Sequence, residues 1–385
     1  MNIEIRGTGY GNKGAELMLL AILDRLGDTF PDARFVVAPG MGPYEWRATH
    51  GLYQKLDAAE AGRLGWLIEM LLHRGYRERY GLVTHEEIDV LLDASGFAYG
   101  DAWKPEWVEG GAQAIEDAKE AGQKVVLLPQ AFGPFTKPRI REASRRIFQN
   151  ADLIYARDPQ SRGYVAELLD DEEVENKLRT APDFTNLLPG QIPEEWQDVE
   201  GRVAVIPNTK MLEQGSGETA EQYVPFLCRC IREVEESGYR PFVLLHEAKQ
   251  DGDLAEAIRE RAAGPVETVY EPDPLRLKGI IGSCDFVISS RFHGLVNALS
   301  QGVPALATSW SHKYRHLMEE YGLGDFLSDV QGANEDLSAR LQQMTDGQTR
   351  AGIAARLGSE AERLKADSKA MWKEVENVLK PDEST

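Results

Sequence analysis

Short apolar runs alternate with amphipathic stretches along most of the chain. Residues 2–6 read as a strand, and a glycine-rich loop follows at Gly7–Gly14. Leu17, Leu20, Ala21, Leu23 and Leu26 then form a stripe at helical spacing. Further strands are expected at Arg34–Ala38, Ile88–Asp93, Lys124–Pro129 and Leu153–Arg157, with helices over Ala112–Ala121 and Ile140–Asn150 between them. The alternation pauses between Asn186 and Gly201, where Pro189, Gly190, Pro193 and a run of acids read as a linker. It restarts with strands at Val203–Ile206, Phe242–His246, Phe286–Ser290 and Ala305–Thr308. From about Glu335 onward the sequence is charged, helical and poor in strand formers.

Strands alternating with helices imply parallel sheets covered on both faces. The expected α/β architecture is two Rossmann-like domains facing a cleft, with a C-terminal helical segment. The boundaries read as 1–190, 200–334 and 335–385. A chain of 385 residues suits two such domains. In open α/β sheets ligands bind beyond the carboxyl ends of the strands, so the loops after each strand carry the chemistry.

Charge narrows the partners. The 63 acids and 43 bases leave a formal net charge of −20, which argues against nucleic acid. An anionic ligand must therefore meet a local cluster of cations. No signal peptide or membrane span is read, and a cytoplasmic location is expected, with at most peripheral contact at the inner face of the membrane. Cys228, Cys230 and Cys284 read as reduced, buried thiols.

Gly9, Gly11 and Gly14 formally match a dinucleotide fingerprint. The second strand, however, ends Val37-Ala38-Pro39-Gly40, without the acid that would hold the ribose. A backbone contact to an anion or a sugar at the helix N-terminus is the better reading. More informative is Phe286–Leu306, in which an apolar strand runs into Ser290-Arg291-Phe292-His293-Gly294, a helix follows, and Gly302-Val303-Pro304 ends it. This puts Arg291 and His293 at the carboxyl edge of a sheet and at a helix N-terminus, a position suited to an anion.

The Ser290–Gly294 segment with its helix, Gly302-Val303-Pro304 and Lys313 resembles the signature of the polysaccharide pyruvyl transferase family. Four other segments agree in order: Gly11-Asn12-Lys13-Gly14-Ala15-Glu16, Pro129–Pro134, Tyr155–Ser161 and Pro182-Asp183-Phe184. The chain departs from the family pattern at Ala15, where an acid is often seen, and at Ser95-Gly96, where a glycine pair is common. The resemblance implies a glycosyltransferase-B-like fold. It also implies transfer of pyruvate from phosphoenolpyruvate to two hydroxyls of one sugar as a cyclic ketal, with the donor on the C-terminal domain.

That donor carries phosphate and carboxylate on three carbons. Arg291 is the expected bidentate grip and His293 the expected acid or base. Ser290, Gly294 and the helix start, Arg157, Lys313 and Lys210 are the further donor-side candidates. Asn12, Gly14, Asp93, Asp101, Trp103 and Asp183 are the acceptor-side candidates, with Trp107 beside Trp103, since aromatic faces suit sugar rings. His246-Glu247 reads as a cleft pair rather than a ligand set. His312 and His316 share a helix face without a third ligand, so no metal and no cofactor is expected beyond phosphoenolpyruvate as co-substrate. The basic stretches around Arg74, Arg77 and Arg79 and at Arg139, Arg141, Arg145 and Arg146 could meet an anionic glycan or a lipid-diphosphate carrier. The acceptor is expected to be a saccharide, lipid-linked or polymeric. A nucleotide-sugar glycosyltransferase of the same fold, or a non-catalytic glycan-assembly protein, are the competing readings.

Overall fold

A computed structural model describes residues 1–56, 73–197, 201–214, 217–262, 264–308 and 312–380. Every strand pairing among them is parallel. The chain divides into two compact units. The first comprises residues 1–11, 18–184 and 367–385, and the second residues 12–17 and 185–366.

The first unit is built on β1 (Asn2–Arg6), β2 (Arg34–Val37), β3 (Tyr53–Lys55), β4 (Leu82–Val83), β5 (Val90–Asp93), β6 (Lys124–Gln130), β7 (Leu153–Ala156) and β8 (Leu178–Thr180). They lie in the order β4-β3-β2-β1-β5-β6-β7-β8. The chain therefore reverses direction across the sheet between β1 and β5, the kind of switch point where open α/β sheets bind ligands. β5 and β7 are buried along their whole length, as their apolar runs require. The helices Pro105–Glu120 and Pro138–Asn150 cover one face and pair their charges with each other. Arg139 meets Glu106 at 2.9 Å and Glu109 at 2.7 Å, and Arg146 pairs with Glu116. Arg74 pairs with Glu78 and Arg77 with Glu87. Arg74, Arg77, Arg139 and Arg146 thus meet acids of their own unit, while Arg141 donates to the Glu167 carbonyl at 3.4 Å.

The second unit holds β9 (Arg202–Ile206), β10 (Arg240–Leu245), β11 (Glu267–Tyr270), β12 (Phe286–Ser289), β13 (Ala305–Thr308) and β14 (Leu327–Ser328). Their order is β11-β10-β9-β12-β13-β14, the doubly wound Rossmann arrangement with its switch point between β9 and β12. Its core is one apolar cluster in which Val203–Ile206, Phe286–Ile288 and Ala305–Ala307 meet helix side chains such as Phe226, Ile231 and Leu295.

The C-terminal helical segment is present as Asn334–Thr345 and Gly347–Leu379, but it serves both units. Ile353, Leu357, Ala361 and Leu364 belong to the second core. From Asp367 the same helix belongs to the first unit. There Trp372 packs edge-on against Phe184 at 5.5 Å, and Glu374 accepts from the Tyr155 hydroxyl at 2.5 Å. Apolar positions along the helix, not a break in it, decide this division. Cys230 and Cys284 are buried, Cys228 is half-buried, and all three are free thiols. Among the described residues no helix is long and apolar enough to cross a membrane.

Candidate active site

In the second unit the carboxyl ends of β9, β10 and β12 bring Asn208, His246, Glu247 and Arg291 to the switch point. Ser289 shapes the turn after β12: its Oγ accepts from the Arg291 N–H at 3.1 Å. Arg291 is the N-cap residue of the helix Phe292–Leu299, with extended backbone. Ser290 is buried. Its hydroxyl accepts from Tyr223 at 2.7 Å and shares a 2.6 Å bond with Thr308. Its carbonyl accepts from Asn208 at 2.9 Å and from Tyr314 at 3.0 Å. Ser290 therefore braces the turn that carries Arg291. Gly294 is tight against the same turn, since a β-carbon there would stand 2.7 Å from Ser289 Oγ.

The guanidinium of Arg291 is not an open fork here. One nitrogen donates to Glu247, another to Asp251, and Nε donates to the Pro207 carbonyl at 3.3 Å. Asp251 is fully buried and is held in turn by the Thr209 hydroxyl at 3.1 Å and the Glu247 N–H at 3.1 Å. Burial opposes the charge on Arg291, but Asp251 and Glu247 more than offset it and raise its pKa. The expectation of a bidentate grip on a ligand is corrected to this extent: two carboxylates already occupy the planar fork and fix its orientation.

The network reaches the glycine loop. Asn12 Nδ2 donates to Glu247 at 2.8 Å, while its Oδ1 accepts from the Gly14 and Ala15 N–H groups at 3.0 and 3.1 Å. Asn12 thus caps the helix Lys13–Thr29 and steadies the acid that holds Arg291. Lys13 and Glu16 form a buried ion pair at 3.0 Å. Gly14 lies under the ring of His293, where a β-carbon would stand 2.2 Å from Nδ1. The third glycine of the apparent dinucleotide fingerprint therefore makes room for an imidazole.

His246 completes the cluster. It is 2% exposed and its pKa is pushed well below 6.5, first by burial and then by the positive charges of Arg291, His293 and Lys13. Lys313 lies 5.3 Å from the Phe292 ring, whereas Lys210 is exposed and paired with Glu213 at 2.5 Å. The side chain of His312 lies outside the described residues. Among the described residues no group of three or more His, Cys, Asp or Glu side chains could hold a metal ion.

The carboxyl edge of the first unit gathers other candidates. Asp93, at the end of β5, accepts from the Tyr99 hydroxyl at 2.5 Å and from Gln130 at 3.3 Å. Burial and the Asp93 charge push the Tyr99 pKa far up, so it stays a hydroxyl donor. Arg157 and Asp183 form a buried ion pair at 3.0 Å, and Arg157 also donates to the Gly96 carbonyl at 3.3 Å. Gly7 (φ 76°) lies so close to Ser95 that a β-carbon would stand 2.3 Å from its Cα. Asp101 accepts from Thr136 and Lys137 and ties two loops together. Trp103 stacks on Trp107 at 6.4 Å, with 39% and 64% exposure. Arg157 and Arg291, both expected on the donor side, belong to different units.

Asp251 and Tyr99 escape a reading of the sequence, whereas Lys13 and Gln130 lie in segments that carry the family resemblance without being singled out as site residues. Asp251 lies on the helix Ala248–Arg261 in a polar stretch, with no local signal of burial. Lys13 looks like an ordinary solvated helix start. A usable signal did exist for His246-Glu247, which follows β10 as Ser290-Arg291 follows β12.

Comparison with known proteins agrees with this geometry. Among solved structures, the HepE protein of Anabaena in complex with UDP-glucose is similar with a TM-score of 0.61 at 14% identity, covering 98% of this chain and 99% of that one. A putative UDP-N-acetylglucosamine 2-epimerase from Listeria monocytogenes is similar with a TM-score of 0.55 at 13% identity, covering 100% and 98%. At such identity the likeness is one of fold, glycosyltransferase-B-like. The amylovoran biosynthesis protein AmsJ of Erwinia amylovora is 21% identical over 268 residues, which span 64% of this chain and 62% of that protein. The family model for polysaccharide pyruvyl transferase matches residues 12–312, which include Asn12, His246, Arg291 and His293, and the chain belongs to that family.

Proposed function

We propose that the chain is a transferase of polysaccharide biosynthesis that moves pyruvate from phosphoenolpyruvate onto a saccharide as a cyclic ketal. The observation that carries this reading is the set of Arg291, Lys13, His246 and His293 at the switch point of the second sheet. Two buried cations and two imidazoles suit a small, highly charged donor. The second strand's end, Val37-Ala38-Pro39-Gly40, lacks the acid a dinucleotide's ribose would need.

In the proposed reaction a proton is added to the methylene carbon of phosphoenolpyruvate, and the central carbon gains positive charge. One sugar hydroxyl attacks that carbon and gives up its proton. A second hydroxyl then displaces inorganic phosphate, which takes the remaining proton, and the ketal ring closes. His293 is assigned as the group that delivers the first proton. Arg291, fixed by Glu247 and Asp251, and Lys313 oppose the donor's charge. The acceptor is assigned to Asp93, Asp183 and the Trp103–Trp107 pair, with Asn12 and Gly14 shaping the glycine loop.

Binding tests this reading directly. Phosphoenolpyruvate should raise the melting temperature, and nucleotide sugars and NAD should not. Phosphate release with phosphoenolpyruvate and a panel of galactosides, mannosides and lipid-linked sugars should then identify the acceptor. Stabilisation by a nucleotide sugar alone would favour a glycosyltransferase instead, and HepE, which is similar in fold, was crystallised with UDP-glucose.

A further inference from the structure

His246 is enclosed on the second unit, yet its Nε2 has no hydrogen-bond partner among the described residues. A buried polar nitrogen left unpaired opposes folding, and native proteins keep few of them. This one belongs to a ring with charged neighbours. It lies in the field of Arg291, His293 and Lys13, at the end of β10 and beside the β9–β12 switch point. Its chain neighbour Glu247 holds Arg291.

The cations of the cluster are already matched. Lys13 pairs with Glu16, and Arg291 pairs with Glu247 and Asp251. To use either fully, an anion must loosen a buried ion pair. A neutral ring asks for no such exchange: its N–H can meet an oxyanion while every ion pair stays in place. Burial is the first cause that keeps a second proton off His246, and the charges of Arg291, His293 and Lys13 that add to it would favour an oxyanion beside the ring.

Resting on the function proposed above, we propose that His246 is a ligand-binding residue whose neutral imidazole donates an Nε2–H hydrogen bond to an anionic oxygen of the small donor. The oxygen belongs to a carboxylate or a phosphate, and the two sources are separable. No bond is made or broken in this step.

The test uses the full chain and calorimetric titration with phosphoenolpyruvate, inorganic phosphate and pyruvate. His246→Gln keeps an N–H donor near the position of Nε2 and should bind phosphoenolpyruvate within about 3-fold of the wild type. His246→Leu removes the donor, and affinity should fall by about 10-fold or more, as for a hydrogen bond to a charged group. A parallel loss with phosphate places the bond on the phosphate end, and with pyruvate on the carboxylate end. Without ligand, His246→Leu should melt no lower than the wild type, because it removes an unpaired polar atom. Unchanged affinity in His246→Leu overturns the inference, and a lower ligand-free melting temperature with that result marks His246 as a packing residue. Should His246→Leu fail to fold, the ring ¹⁵N signals of His246 in the wild type decide. They should shift on adding phosphoenolpyruvate while the ring stays neutral, and signals that do not move overturn the proposal. A wild type that binds none of the three ligands removes the functional reading and this inference together. A wild type that binds them while His246→Leu is unaffected removes the inference alone.

Discussion

At the carboxyl edge of the first sheet, Asp93 is satisfied by Tyr99 and Gln130, Arg157 and Asp183 form a buried pair, and Trp107 is largely exposed. At the corresponding edge of the second sheet Arg291 is held by two carboxylates, and two imidazoles stand in the same cluster. The strand plans are alike, each with a switch point beside its first strand. The chemistry is not. An aromatic, hydroxyl-bearing edge suits a neutral sugar, and an edge of buried ions suits a compact anion.

The largest effect should come from the second edge. If His293 delivers the proton, His293→Gln should still bind phosphoenolpyruvate while turnover falls by about 10² to 10⁴. Near-normal turnover with a lower melting temperature would leave His293 as a helix-start residue, and the two edges would then not divide the chemistry as described.

Both edges contain a buried ion pair, so both should be sensitive to losing an acid. Asp251→Ala and Asp183→Ala should each cost about 3 kcal/mol in denaturant unfolding, because an arginine is left with less compensation. Phosphoenolpyruvate affinity should change in the Asp251 variant, which disturbs the orientation of Arg291. Saccharide binding should change in the Asp183 variant. An exchange of these ligand effects would reverse the assignment of the edges.

Acid should act on the second edge through His246. Its folded pKa is depressed below 6.5 by burial and by Arg291, His293 and Lys13. In acid the unfolded chain therefore takes up a proton that the folded chain refuses. Stability is full above about pH 6.5 and falls with pH below it, by at most about 1.4 kcal/mol per unit from this group, until the folded ring is itself protonated. His246→Gln should flatten that part of the profile, and an unchanged slope would show that other groups set it.

The smallest effect belongs to the first edge. Trp107→Ala should raise the KM for a saccharide acceptor about 3- to 10-fold with kcat and stability nearly unchanged, in keeping with a stacking contact of roughly 1 kcal/mol. An effect on phosphoenolpyruvate instead would place the aromatic pair elsewhere in the mechanism.

The long apolar strands were readable because each is a run of branched and aliphatic residues between turn formers. Val90–Asp93, Lys124–Gln130 and Phe286–Ser289 are examples. The edge strands Leu82–Val83 and Leu327–Ser328 were not, since two residues carry no period. Arg291 and His293 stand out because polar residues interrupt an otherwise apolar segment. Asp251 does not: it is an ordinary acid in a chain with 63 of them, and only the packing of its helix shows that it is buried. Pairing across sequence distance also hid the division of the long C-terminal helix, whose pattern is amphipathic on both sides of Ala366.

The contact between Gly14 and His293 has a bearing on how such chains can be recombined. A β-carbon at Gly14 would occupy space that His293 fills, so the glycine loop and the Ser290–Gly294 segment fit each other as a matched set. A chimera that imports a loop with alanine at position 14 would push the imidazole out of place, although neither parent carries a defect. Importing both segments together should preserve the fit, and library designs that shuffle them independently should lose active members at this pair first.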